Sequence, residues 1–205
     1  MFNPQRSTKQ INLQNDTDKR IRSFHEYELR NKAKLDKKLK YLNVSLLGLS
    51  GRSHPAISGL FTASDVKKSR SHLKMLVGDY YTYQVKSEQS GGPPHCPYCY
   101  SISKSDEYIP SESICHILAL CDGYKTQRLR IIEKMSVIFQ DSVNNVNIMQ
   151  YRQDPELLTQ FILDPSSLNL PVRVNTNDPV LPSLFQSSRD LCFTINQERM
   201  KILKI

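Results

Sequence analysis

Four residues in the middle of the chain have the side chains and the spacing of a zinc site. They are Cys96, Cys99, His116 and Cys121, in the pattern Cys-x2-Cys-x16-His-x4-Cys. A Cys-x-x-Cys pair makes a tight turn that directs two sulfurs to one point, and two soft ligands from a later segment complete a tetrahedron. Four protein ligands leave no open coordination position for water. The pattern therefore predicts a structural zinc ion.

The segments that carry these residues must meet at one point. Prolines on both sides of Cys96 stiffen the approach to the first pair. The apolar run 117–120 after His116 predicts one or two helical turns, and Gly123 predicts where they stop. On an ideal α-helix His116 and Cys121 lie about 140° apart. We therefore expect the helix to end or distort near Cys121, so that both residues can reach one ion.

Other interpretations of the cysteines remain open. The tetrapeptide CPYC at 96–99 also occurs at glutaredoxin active sites, where the first cysteine begins a helix after a buried strand. Here a polar, glycine-containing segment precedes it, which favours zinc over a redox dithiol. A further interpretation is reduced cysteines without metal. Cys115 is an alternative ligand, but we favour His116 and Cys121 because His-x4-Cys recurs in zinc knuckles.

Length and composition describe an intracellular protein with a modest core. The 205 residues are 39% hydrophobic, the mean hydropathy is −0.48, and no apolar run approaches the roughly 20 residues of a membrane span. The N-terminal sequence does not resemble a signal peptide. Five cysteines, four of them grouped, argue against a disulfide framework. We therefore expect a protein of the nucleus or cytoplasm that has no membrane partner.

The net charge of +8 is distributed unevenly along the chain. Residues 1–90 contain seventeen Lys and Arg against eight Asp and Glu, whereas residues 91–205 contain eleven against twelve. The whole basic excess therefore precedes the cysteine-rich stretch. Such a concentration suits a polyanion, which inside a cell indicates nucleic acid, either RNA or DNA.

The spacing of apolar residues predicts a mainly α fold, a helical module with a small CCHC zinc knuckle inserted. Helices are predicted from Asp16 or Thr17 to about 42, with a broken apolar stripe that includes Ile21 and Phe24, from Thr62 or Ser64 to about 85, and over 124–140, 155–162 and 183–203. Asp154 and Pro155 predict the N-cap and the first helical position of the helix over 155–162. A loop is predicted at 46–61, a polar link at 141–153 and an extended stretch at 168–182. The predicted regions are a disordered tail (1–15), a basic helical region (16–90), the zinc-binding segment (91–124) and a C-terminal helical region (125–205).

Two predicted helices carry the candidate nucleic-acid-binding residues. The second helix contributes Lys67, Lys68, Arg70 and Lys74, and the first contributes Arg30 and Lys34. The alternative is that these charges form solvated helix faces. The tyrosines at 80, 81 and 83 either stack on bases or pack half-buried in the fold. Both interpretations stay open at this stage.

The remaining reactive side chains do not indicate catalysis. His54 is interpreted as structural or exposed, and Cys192 as a buried free thiol in the last helix. The sequence has no phosphate loop, GxSxG elbow, dinucleotide-binding glycine pattern or HExxH helix. Its acidic residues are scattered singly. We therefore expect that the chain is not an enzyme and lacks polymerase and endonuclease catalytic residues.

The order of the cysteine-rich stretch resembles a known family. CPYC, a polar gap and then SESICHILALCDGY resemble the zinc-binding segment downstream of the polymerase in non-LTR (LINE-type) retrotransposon reverse transcriptases. The recurring positions of that segment are occupied by Glu112, His116, Leu118, Cys121, Tyr124 and Arg128. The preceding VKKSRSHLKMLVGDYYTY and the C-terminal tail resemble its flanks. The resemblance covers most of the chain from about Gly51.

This resemblance implies a C-terminal fragment of a polyprotein whose parent is an RNA-directed DNA polymerase. It implies a nucleic-acid-binding accessory module that holds template RNA or target DNA, with a structural zinc ion. It also implies the polymerase domain of the parent polyprotein as a further partner. The alternative is a zinc-braced helical module that binds proteins, or an inactive remnant.

Overall fold

The fold is built from α-helices and short turns. The computed structural model describes residues 4–47, 54–57, 62–103, 108–142, 151, 153–167 and 180–203, with only the backbone described for 4–17 and 139–142. The helices are α1 (Pro4–Leu35), α2 (Ala63–Leu76), α3 (Tyr83–Ser90), α4 (Pro97–Ile102), α5 (Lys125–Ser142), α6 (Pro155–Leu163) and α7 (Val180–Ile202). In these ranges the only pairing of extended chain is one antiparallel bridge between His95 and Ser111. The predicted mainly α class is confirmed.

The core lies where α7 packs across α2 and α5. The turn at His116–Leu120 packs on α6, so the cysteine-rich segment belongs to the same body. The buried core residues include Met75, Leu76, Ile117, Leu118, Ile132, Met135, Phe161, Ile162, Leu184, Phe185, Leu191 and Ile195. Cys96 and Cys121 are buried in the same cluster. Two of the predicted metal ligands are therefore core residues.

Helix α2 begins where the sequence predicts and ends much earlier. The Thr62 side chain accepts from the Asp65 backbone N–H, and the Asp65 side chain accepts from the Thr62 N–H, which is a capping box. The predicted end near residue 85 is wrong, because the helix stops at Leu76. Gly78 has φ +67°, and the Asp79 and Gly78 N–H groups close the last turn in a Schellman motif. A second helix, α3, then begins after Thr82.

Substituting Gly78 with Ala is expected to destabilise the fold by about 2 kcal/mol or more. The residue would have to keep a positive φ, which costs an alanine about 1–2 kcal/mol. The new Cβ would also lie 2.6 Å from the Lys38 carbonyl oxygen, so the two segments would have to move apart. Urea unfolding followed by circular dichroism measures the change.

Gly91→Ala is the control for the Gly78 substitution. Gly91 also has a positive φ, but a Cβ there meets no atom within 4 Å. It therefore imposes backbone strain without a collision. Its ψ of 180° places Gly91 in a backbone region that is essentially restricted to glycine, so Gly91→Ala gives an upper limit for the backbone cost alone. A loss of stability from Gly78→Ala no larger than about 1–2 kcal/mol, the cost of a positive φ by itself, would contradict the importance of the contact with Lys38.

Helix α1 differs from the prediction at both ends. It begins at Pro4, earlier than the expected start at Asp16 or Thr17, and the predicted tail over 1–15 is described only as backbone, from residue 4. It ends at Leu35 instead of near residue 42, because the Asp36 side chain accepts from the Lys38 N–H and begins a separate 3-10 turn at Lys37–Leu39. Ile21 and Phe24 of its predicted apolar stripe are exposed to solvent.

The later helices follow the predicted pattern closely. Asp154 caps α6 through the Glu156 and Leu157 N–H groups, with Pro155 at the first helical position as predicted. Helix α7 begins at Val180, three residues before the expected Ser183, and the rest of the predicted extended stretch lies outside the described residues. None of the described helices is long and apolar enough to cross a membrane.

Candidate metal centre

The first cysteine pair lies at the start of a short helix. Cys96 is the residue before α4, and Pro97 occupies the first helical position. The Cys96 N–H donates to the Pro110 carbonyl, and the Glu112 N–H donates to the Pro94 carbonyl. These two bonds pair the segment before Cys96 with the segment that leads to His116. The local pairing explains how ligands far apart in sequence arrive at one place.

The second ligand pair is aligned by a distorted helical turn. Residues His116–Leu120 form a π-helix, and the Cys121 N–H donates to the His116 carbonyl at 2.7 Å. A bond from residue i+5 to residue i widens the turn, so the two residues approach the same face. The expected distortion near Cys121 is therefore present. Gly123 follows at a position where a Cβ would lie 2.6 Å from the Tyr98 ring.

The four predicted ligands converge on one point. Cys96 Sγ lies 3.8 Å from Cys121 Sγ, and Cys99 Sγ lies 3.9 Å from Cys121 Sγ. Cys99 Sγ lies 3.4 Å from His116 Nε2, and one donor atom from each residue lies within 4.8 Å of all the others. A disulfide needs about 2.05 Å between sulfurs, so these cysteines are free. The group can hold a metal ion.

Hydrogen bonding and burial decide which thiol ionises first. The hydrogen bond from Cys121 lowers the pKa of the Cys96 thiol to about 4. The same hydrogen bond, together with burial, raises the pKa of Cys121. Burial and then the charge of Cys96 raise the pKa of Cys99 to about 11. A metal ion that binds all three sulfurs therefore has to displace protons, which makes its affinity depend on pH.

The other cysteines and His54 lie outside the cluster. Cys115 is buried outside the cluster, and its burial raises the pKa of its thiol. Cys192 is fully buried in α7, where burial raises its pKa, as expected for a buried free thiol. His54 is buried with its Nε2 3.3 Å from Asp164 Oδ2, which fits the predicted structural role.

A second layer of polar contacts fixes the ligand-bearing segment. Arg128 is buried and donates from Nη1 to the Cys121 carbonyl at 3.1 Å. Glu112 is fully buried and accepts two hydrogen bonds of 2.8 Å from Arg199 of α7. The Tyr83 N–H donates to the same carboxylate at 2.8 Å. Sequence reasoning did not identify Arg199, because no local signal pairs residues that are 87 positions apart.

The six predicted nucleic-acid-binding residues differ in the partners that the structure gives them. Lys68 is paired with Asp190 at 2.9 Å, and the Lys67 ammonium lies 5.8 Å from the centre of the Phe193 ring. On α1, Arg30 donates to the Leu47 carbonyl at 2.9 Å and is also paired with Glu26. Lys34 is exposed on the same helix.

The other two predicted residues, Arg70 and Lys74, line a groove of about 480 Å³. Its lining also includes Tyr81 and Lys86, and Tyr83 contributes its ring. Within the described residues, neither Arg70 nor Lys74 has an acidic side chain within salt-bridge distance. No sequence signal pointed to Lys86, because it is the only basic residue of α3. Lys86 lies at the same groove as Arg70 because the chain turns at Gly78, between the end of α2 and the start of α3.

Comparisons of the chain with protein-family models, with curated proteins and with solved structures find no match.

Proposed function

We propose that this chain is a nucleic-acid-binding accessory module of a LINE-type retrotransposon reverse transcriptase, with a structural zinc ion. The observation that carries the proposal is the groove beside α2, where Arg70, Lys74 and Lys86 face solvent next to tyrosine rings. Unpaired basic side chains beside aromatic rings are the chemistry that binds phosphates and bases. Glu112, four residues before His116, holds Arg199 in the groove lining and so connects the metal-binding segment to the groove.

The donor set supports zinc as the metal. For zinc–sulfur bonds of about 2.3 Å and zinc–nitrogen bonds of about 2.0–2.1 Å, a regular tetrahedron separates two sulfurs by about 3.8 Å and sulfur from nitrogen by about 3.5 Å. Three of the six separations between ligand atoms are close to these values, at 3.8 and 3.9 Å between sulfurs and 3.4 Å from sulfur to nitrogen, and all six are within 4.8 Å. Cys96, Cys99, His116 and Cys121 would fill all four positions. The zinc ion would then brace the fold without activating water.

The resemblance to the retrotransposon segment receives support from the surroundings of the ligands. Three of its recurring positions other than the ligands are occupied by residues that fix the metal-binding segment. Glu112 anchors Arg199, Arg128 holds the Cys121 carbonyl, and Tyr124 is buried beside them. These residues have a physical reason to recur together with the ligands. In the proposed function they hold the zinc segment against the helices that bind template RNA or target DNA.

Neutralising the groove is expected to weaken nucleic-acid binding by about tenfold or more. The variant replaces Arg70, Lys74 and Lys86 with Gln in the zinc-loaded chain. Each lost phosphate contact should reduce the slope of log K against log salt by about 0.7 to 0.9. Fluorescence anisotropy with a labelled RNA and a labelled DNA, across a salt series, measures the affinity and the slope.

A second triple variant removes the same charge from another surface. Lys125, Arg130 and Lys134 are exposed on α5 and become Gln in this control. We expect it to bind almost as the parent chain does. If the parent chain binds neither RNA nor DNA, the proposed function is wrong. If the two variants weaken nucleic-acid binding equally, the binding comes from the general positive charge of the chain and the groove is not the binding site.

A protein-binding role is a second candidate with its own observation. Helix α1 exposes apolar side chains that the described fold leaves uncovered, namely Ile21, Phe24, Tyr27, Leu29 and Leu35. Exposed apolar residues in such number are typical of contact surfaces. Under this alternative the zinc ion braces a helical interaction module, and the groove variant behaves like the parent chain.

A further inference from the structure

The groove beside α2 presents one aromatic ring, that of Tyr81, for which the described residues show no ring or cation contact. Tyr80, Tyr81 and Tyr83 all line it. Tyr80 is buried, its hydroxyl donates to Asn196 Oδ1 at 2.8 Å, and the Arg199 guanidinium covers its ring. The Tyr83 ring lies under the Lys86 ammonium, 5.2 Å from it. Tyr81, by contrast, is 56% exposed.

The exposure of Tyr81 follows from the backbone on both sides of it. Tyr80 and Thr82 are buried, at 5% and 2% exposure. Tyr81 lies between these two buried neighbours and is itself exposed. Thr82 is fixed further as the N-cap of α3, where its hydroxyl accepts from the Val85 N–H. Burial of Tyr80 and Thr82 therefore keeps the Tyr81 ring at the surface of the groove.

Positive charge flanks this ring on two elements. Arg70 and Lys74 are one turn apart on α2 and so share a face of that helix. Lys86 lies on α3, at the same groove. Cations at intervals around an exposed aromatic ring match the alternation of phosphate and base along a nucleic-acid strand.

We propose that this groove binds single-stranded nucleic acid, with an unpaired base stacked on Tyr81 and the adjacent phosphates on the basic side chains. In a duplex both faces of a base are covered by its neighbours, so a tyrosine ring finds a free face only on an unpaired nucleotide. This inference rests on the proposed function. It adds that the bound nucleic acid is single-stranded and that Tyr81 is the residue that selects it over a duplex. Stacking and phosphate contact are common to RNA and DNA.

The test compares Tyr81→Ala with the parent chain, both loaded with zinc. The probes are labelled oligouridine and oligodeoxythymidine of about 12 nucleotides, within the range of single-strand site sizes, and a duplex of equal length. We expect the parent chain to prefer the single strands. Tyr81→Ala should weaken single-strand binding about 5- to 150-fold, which is the loss expected when one base no longer stacks on an aromatic ring. The salt slope should stay unchanged, since no phosphate contact is lost.

Two further variants separate stacking from other effects. Tyr81→Phe keeps the ring and should bind as the parent does. Tyr108→Ala removes a tyrosine that is also exposed but does not line the groove, and it should have no effect. Weakening with either single strand supports the inference and shows which sugar the groove accepts.

The failure of this inference is distinguishable from the failure of the proposed function. Suppose that the groove triple variant weakens binding while Tyr81→Ala binds both single strands as the parent does. Stacking on Tyr81 is then excluded, although nucleic-acid binding stands. Equal affinity of the parent chain for duplex and single strands would also overturn the inference. If the parent binds none of the three probes, both proposals fail together.

Discussion

Cys121→Ser is expected to reduce the bound zinc from about one ion per chain to almost none and to unfold the ligand-bearing segment. Cys121 Sγ lies 3.8 Å from Cys96 Sγ and 3.9 Å from Cys99 Sγ, and Cys121 is fully buried. Structural zinc contributes on the order of 10 kcal/mol or more to small zinc-held units. A hydroxyl is a poor substitute for a thiolate ligand. Metal analysis of protein purified without added zinc measures the loss.

The structural consequence is read from the same variant by circular dichroism. The turn at His116–Leu120 packs on α6, so loss of the ion should reduce helical signal and lower the urea midpoint. Chelation of zinc from the parent chain should reproduce the change. Cys96→Ser and Cys99→Ser are expected to behave in the same way, because each sulfur belongs to the same cluster.

Matched serine substitutions of the other cysteines serve as controls. Cys115 and Cys192 lie outside the cluster, so Cys115→Ser and Cys192→Ser should keep the full zinc content. The decisive comparison is with His116→Ala. Retention of zinc in His116→Ala together with loss in Cys115→Ser would overturn the ligand assignment. Full zinc content in Cys121→Ser would overturn the metal centre as a whole.

Glu112→Gln is expected to lower the free energy of unfolding by about 3–5 kcal/mol. The substitution keeps the shape of the side chain and an acceptor oxygen for the Tyr83 N–H. It removes the charge that compensates Arg199, whose guanidinium is almost fully buried. A buried charge without its partner is among the most expensive single defects in a fold. Urea unfolding at a fixed zinc concentration measures the effect.

A double variant separates the cost of an orphaned charge from the value of the pair. In Glu112→Gln combined with Arg199→Met both charges are absent, so we expect a smaller loss than in Glu112→Gln alone. Glu198→Gln is the surface control, because its ion pair with Lys201 is exposed and contributes at most about 1 kcal/mol. Equal effects of Glu112→Gln and Glu198→Gln would show that the buried pair does not hold the metal segment in place.

Much of the metal centre could be predicted because its determinants are local. The Cys96 and Cys99 sulfurs belong to one turn at the start of α4. The interval from His116 to Cys121 excludes a regular α-helix for two ligands of one ion, and the observed turn has i+5 bonding. Helix starts at Thr62 and Asp154 were likewise predicted from side chains that bond the nearest backbone N–H groups.

The helix end that was predicted wrongly depends on a contact between residues far apart in the sequence. The pattern of apolar residues continues through residues 76–80, so it predicted one helix across the break. Gly78 marks the true end through its positive φ, and the close approach of Lys38 leaves no space for a side chain there. That approach is made by a segment about forty positions earlier, which local periodicity does not contain.

The sequence by itself determined the four residues that lie close enough to hold a metal ion, the mainly helical class and the concentration of basic charge before the cysteines. Only the tertiary structure decided which charges are available, because pairing depends on distant residues. Lys68 is paired with Asp190, 122 positions away, whereas Arg70 and Lys74 have no acidic partner in the part of the chain that the structure describes. Ligand spacing is a property of a few adjacent residues, and it can be read along the chain. The groove exists only because packing places α2, α3 and α7 side by side.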